Sequence, residues 1–165
     1  MGYGGQSEAG RMTTFQIIIR KFWIRVEKPI WSFLVNCFYW WMKASHIKGC
    51  MEELDHYRTL PLAELMTRFQ WTKEKVDWTQ WPSTLIDRDM KGDCDDAANL
   101  ARWWFKQNGV EAEILNLYSA KEGHAVCVTK DRKRMVTNEL VVELNPESWE
   151  QDVMKYFNNE YEVIL

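Results

Sequence analysis

Hydrophobic and polar positions change their period several times along this chain. Residues 1–12 are glycine-rich without apolar periodicity and read as a flexible N-terminus. From Pro29 the run PIWSFLVNCFYWWM is apolar around a whole helix, with Ile30, Phe33, Leu34, Cys37, Phe38, Trp41 and Met42 on one side and Trp31, Val35 and Tyr39 on another. Such a helix calls for burial all round. In LPLAELMTRFQ, 60–70, Pro61 opens a helix on which Leu62, Leu65, Met66 and Phe69 recur at helical spacing. Residues 71–92 lose the period and read as an irregular, tryptophan-rich connection, long enough to need a task such as walling a site.

Helical spacing returns from Cys94 to Gln107, where Ala97, Ala98, Leu100, Ala101, Trp104 and Phe105 make the apolar side and Asn108-Gly109 the stop. Four short strands follow, at 111–118, 124–129, 134–138 and 140–144. Helices first and an antiparallel meander afterwards predict an α+β fold.

With 165 residues, 46% of them hydrophobic, the chain supports one domain with its own core plus an appendage. The division expected is an appendage over 13–50 and a domain over 51–165. Residues 1–50 carry a net charge of +5 and the remainder −8. An acidic body argues against a nucleic-acid partner, and a basic, aromatic appendage suggests a different contact. Residues 22–42 could pack on the domain, meet a second copy or partner, or lie on a membrane surface. The uncharged run of 14 residues, Pro29 to Met42, is short of the roughly 20 that span a bilayer. MGYGGQSEAGRMTTFQ has no secretory leader pattern, so the cytoplasm is the default expectation, with peripheral membrane association open.

The four cysteines lack paired spacings and are expected to be reduced. Cys37, His46, Cys50 and His56 match no usual zinc spacing. Cys94 stands apart, between Asp93, Asp95 and Asp96 at a helix start. The first-turn amides and macrodipole favour a thiolate and can hold an oxyanion, whereas the acids oppose ionisation. Asp93 suits the cap and Asp95 and Asp96 the first turn. Oxygen-rich acids also suit calcium, so these three are candidate calcium ligands, with no cofactor required.

A histidine beside the thiol would overcome the acids. A hairpin centred on Asp131 would pair His124 with Asn138 across two strands, their side chains on one face. Cys94, His124 and Asn138 then fill the roles of nucleophile, base and orienting group. Gln80, Trp81 and Trp78 are candidates for a second oxyanion donor beside the Cys94 amide.

The runs Gly92-Asp93-Cys94-Asp95-Asp96-Ala97-Ala98, Gly109-Val110-Glu111-Ala112, Gly123-His124-Ala125-Val126 and Met135-Val136-Thr137-Asn138 resemble the transglutaminase-like superfamily. The G-D-C-D-D-A form, with VDWTQWPSTL upstream, is most similar to its bacterial transglutaminase-like cysteine proteinase branch. The resemblance covers about residues 65–145 and implies a papain-like α+β core, a central Cys helix against a sheet carrying His and an acid, with Cys94 as nucleophile and His124 as base. The third member of that branch is usually Asp, where this chain has Asn138. Some members of the branch hold calcium beside the nucleophile.

The expected activity is a cysteine hydrolase, a protease or amidase, or an acyltransferase acting on amide bonds of a protein or peptide through a thioester. Cross-linking to an amine is one alternative outcome. A non-catalytic binding or assembly module that docks through its N-terminal aromatic helix is the other.

Overall fold

The computed structural model describes residues 13–73, 78–119, 122–161 and 163–164, and the expected flexible N-terminus, 1–12, lies outside them. The fold is α+β. Five strands form one antiparallel sheet in the order β6-β5-β4-β3-β7: β3 (Ala112–Tyr118), β4 (Gly123–Thr129), β5 (Arg134–Thr137), β6 (Leu140–Glu143) and β7 (Val163–Ile164). The first four fall where alternation of the sequence predicts a meander.

Helix α6 (Cys94–Gln107) covers one face of the sheet. Its Ala97, Ala98, Leu100, Ala101 and Phe105 are buried in one cluster with Ala125, Cys127 and Val136. Three alanines leave room for the helix backbone to approach the strands closely. The opposite face is covered by α7 (Trp149–Tyr156), whose Val153 packs with Leu115, Leu117, Val126, Val128 and Met135. Alternate residues of β4 therefore serve two different cores, because successive side chains of a strand point to opposite faces.

Within 71–92 the described residues, 71–73 and 78–92, are more regular than their composition suggests. Trp81 is extended, Pro82 starts α5 (Pro82–Asp87), and Leu85 and Ile86 are buried. With only six residues, α5 is too short to display a period. On either side of it, β1 (Gln70–Trp71) and β2 (Lys91–Gly92) pair in parallel.

Helix α1 (Thr14–Phe22) runs through a π-helical turn, Trp23–Glu27, into α2 (Lys28–Met42), and α3 (Ala44–Tyr57) and α4 (Leu62–Met66) follow. Thr13 and Gln16 form a reciprocal capping box at the start. Pro29 brings no N–H, and the turn before it closes through the longer bond from Lys28 N to Trp23 O. All-round burial of α2 does not occur: its buried residues are Ser32 and Asn36, while Ile30, Trp31, Phe33, Leu34, Phe38, Trp41 and Met42 are exposed. Helix α3 crosses the expected boundary at residue 50, and Cys50, Leu54 and Tyr57 join the α6 core. Among the described residues no helix is long and apolar enough to cross a membrane.

Candidate active site

Asp93 caps α6 by accepting from Asp95 N at 3.2 Å, and Asp96 returns the box by accepting from Asp93 N at 3.1 Å. Asp96 also accepts from Gln80 N and Gln80 Nε2, each at 2.7 Å. A Cβ at position 92 would lie 2.3 Å from an Asp96 oxygen, so only glycine admits this carboxylate. Asp95 is buried against Lys28 Nζ at 3.3 Å and accepts from the Thr79 hydroxyl. The three acids thus have three tasks: cap, anchor of the 78–81 loop, and partner of a lysine from α2.

Cys94 is half-buried at the first position of α6, where the neighbouring Ala125 N–H favours its thiolate. Ala125 directly follows His124. Cys94 thus lies at the end of β4 that carries His124, but on the side of Ala125, and no hydrogen bond joins thiol and imidazole. The imidazole shares the face of Val126 and Val128, with Nε2 2.8 Å from Thr137 Oγ1 and its ring edge-on to Phe157 at 5.1 Å and stacked on Tyr161 at 6.1 Å.

The pairing of His124 with Asn138 is corrected by the register. Cys127 faces Val136 and Val128 faces Met135, one step away from the predicted alignment. The reason is the turn: Thr129 Oγ1 accepts from Arg134 N at 3.1 Å, spanning four residues rather than three, and Arg132 takes the left-handed conformation at φ 60°. A one-residue slip exchanges the faces of a strand. Thr137 thereby becomes the neighbour of His124, while Asn138 sits at φ 45° in the turn to β6, its Oδ1 buried without a hydrogen-bond partner among the described residues.

The electrostatics run against a resting thiolate. Burial pushes the Cys94 thiol up to about 12, Asp93 and Asp95 add to the rise, and the Ala125 amide and Lys28 oppose it. Burial likewise lowers His124, with Glu122 pulling the other way. At neutral pH both partners are neutral. Within the acid pair, burial and the contact with Asp95 raise Asp93, whereas for Asp95 the bonds from Asp93 and Thr79 and the charge of Lys28 outweigh burial and lower it. One proton shared by the two carboxyls accounts for both directions.

Gln80, a candidate oxyanion donor, spends its amide on Asp96 and on Lys91 O at 3.1 Å. Trp78 is buried with the Arg88 guanidinium 5.8 Å over its ring, and Trp81 packs edge-on against Phe33 and Trp40. Of the amides at the α6 N-terminus, that of Asp95 is taken by the Asp93 cap. As for calcium, Asp96 is committed to N–H donors and Asp95 to lysine. Asp93, Cys94 and Asp95 bring their ligand atoms within 4.8 Å of one another, and this cluster by itself argues for no ion.

Tyr161, Thr137, Thr79 and Lys28 escape sequence reasoning. Tyr161 stacks on His124 and lies near enough to Cys94 for a thiolate there to contribute to its own rise, to about 12, behind burial and Glu122. A cavity of about 550 Å³ opens beside the acids, lined by Lys28, Ser32, Thr79, Trp81, Asp95 and Asn99 among others.

No family model matches the chain, and neither the curated proteins nor the solved structures contain a match.

Proposed function

We propose that this protein is a cysteine-dependent hydrolase or acyltransferase for amide bonds, with a papain-like core of the transglutaminase type. The observation that carries the reading is the seat of the Cys94 sulfur, at the head of α6 and beside the amide next to His124. Once turned from Thr137, which holds Nε2 at 2.8 Å, the His124 imidazole takes the thiol proton. Cys94 Sγ attacks an amide carbonyl while His124 accepts its proton, the Cys94 amide holds the oxyanion, and the proton passes to the departing amine. Water or an amine then opens the thioester.

A resting ion pair is not needed for this sequence, because proton transfer can accompany attack. The imidazole lies on the α7 face of β4 and the sulfur on the α6 face, so the reaction requires the His124 side chain to leave Thr137, Phe157 and Tyr161 and swing past the end of the strand towards Cys94.

A second reading, a non-catalytic assembly module on the same fold, is favoured by the neutral thiol and imidazole. Iodoacetamide alkylation against pH, mapped by peptide mass in wild type and His124→Ala, separates the two. The hydrolase reading expects Cys94 to react near pH 7, about tenfold faster with His124 than without it. Reaction confined to strongly alkaline solution in both proteins would leave the assembly module.

A further inference from the structure

The helix formed by α1, the π-helical turn and α2 turns its polar side inwards and its apolar side outwards. The inward row is Arg20, Ile24, Lys28, Ser32 and Asn36, each less exposed than its helical neighbours. Arg20 donates to Ser119 O at 3.1 Å and lies 4.5 Å over the Tyr118 ring, Lys28 meets Asp95, and Asn36 grips the 78–81 loop. Beyond them Tyr39 and Lys43 both bind Asp87, at 2.5 and 2.7 Å. These contacts fix how the helix is rolled on the domain.

The outward row, Ile18, Phe22, Val26, Ile30, Leu34 and Phe38, falls two positions from the inward one, about 200° around the helix. A spacing of four drifts by about 40° per step in an α-helix, which would carry either row off its face over this length. The π-helical turn absorbs an extra residue and recovers roughly 100°, so the apolar stripe stays continuous through Trp41, which is 76% exposed.

We propose that this stripe docks on the surface of an anionic lipid bilayer, the helix lying in the membrane plane. Exposed Trp23, Trp31 and Trp41 suit the headgroup level, and Phe15, Phe22 and Phe38 the acyl boundary. Lys21 and Arg25 flank the stripe without an ion pair among the described residues, and Glu27 is the one acid between Thr13 and Lys43. Lipid phosphates would meet those cations. A second copy laid antiparallel would bring one acid per helix, Glu27, to the two cations Lys21 and Arg25.

Flotation of the full chain with phosphatidylcholine vesicles, with and without phosphatidylglycerol, tests this. Binding to the anionic vesicles is expected, reduced about tenfold or more in Phe22→Asp/Ile30→Asp and in Lys21→Glu/Arg25→Glu. Circular dichroism should be unchanged, since these side chains touch little of the domain. Equal flotation with neutral vesicles, or none with either, would overturn the proposal. So would sedimentation showing a dimer that Phe22→Asp/Ile30→Asp dissociates in a protein that ignores vesicles, which would make a second copy the occupant.

Discussion

Helices α2 and α6 hold the same short loop from two sides and follow opposite rules. Helix α6 buries alanines, Leu100 and Phe105 and uses its polar end for the loop: Asp96 takes Gln80 N, and Asn99 Nδ2 donates to Gln80 O at 2.7 Å. Helix α2 buries Ser32 and Asn36 and leaves its hydrophobic residues outside. Ser32 Oγ accepts from Thr79 N at 2.8 Å, Asn36 Nδ2 donates to Thr79 O at 2.9 Å, and Asn36 Oδ1 accepts from Trp81 N at 2.9 Å. Residues 79–81 thus have their polar backbone groups satisfied alternately by the two helices. Apolar contact holds one helix and hydrogen bonding holds the other, so the same kind of substitution should have opposite consequences in the two.

The largest effect is expected in α6. Phe105→Ala empties a wholly buried site between helix and sheet and should cost about 3–5 kcal/mol in urea unfolding. Next comes α2, where the damaging change is polar to apolar. Asn36→Leu leaves Thr79 O, Trp81 N and Thr84 Oγ1 without their partner and should cost about 3 kcal/mol. If Asn36→Leu proves neutral, the hydrogen-bonded grip of α2 is illusory and the contrast with α6 falls.

A smaller effect of the opposite sign is expected at the shared end. Asp93 is raised to about 9, first by burial and then by its contact with Asp95. The unfolded chain loses that proton near pH 4, so the group favours the folded state below that pH and loses this as pH rises towards 9. Asn caps a helix as well as Asp does. Asp93→Asn should therefore unfold at higher urea at pH 7, by about 1 kcal/mol, and show a flatter stability profile between pH 4 and 9. An unchanged profile would mean that Asp93 is ionised in the folded protein.

These contrasts bear on what could be read in advance. The meander and α6 are legible because alternation and helical spacing record burial directly, and β4 writes both cores into alternate residues. The register is not, since neither glycine nor asparagine marks Arg132 as the left-handed residue of a four-residue turn, and one residue separates Thr137 from Asn138 as the neighbour of His124. Thiol and histidine are identifiable as residues, but their charge states depend on burial that periodicity does not report. In α2 a signal was present: Ser32 and Asn36, four apart in an otherwise apolar run, mark the inward face through their polarity. Reading all apolar faces as buried faces hides it.

The smallest expected effect sharpens the comparison most. Ile30 belongs to the exposed row of α2 and is 58% exposed, whereas Leu100 of α6 is fully buried. Leu100→Ser should cost several kcal/mol, about what a cavity with a stranded hydroxyl demands. Ile30→Ser should leave urea unfolding within about 0.5 kcal/mol of wild type, as expected where no packing is lost. Should Ile30→Ser destabilise like a core substitution, the outward stripe would be covered by the chain itself, and nothing external would be required to explain it. A null effect on folding combined with weaker vesicle flotation assigns the isoleucine to a contact outside the domain, because no intramolecular role moves the second quantity without the first.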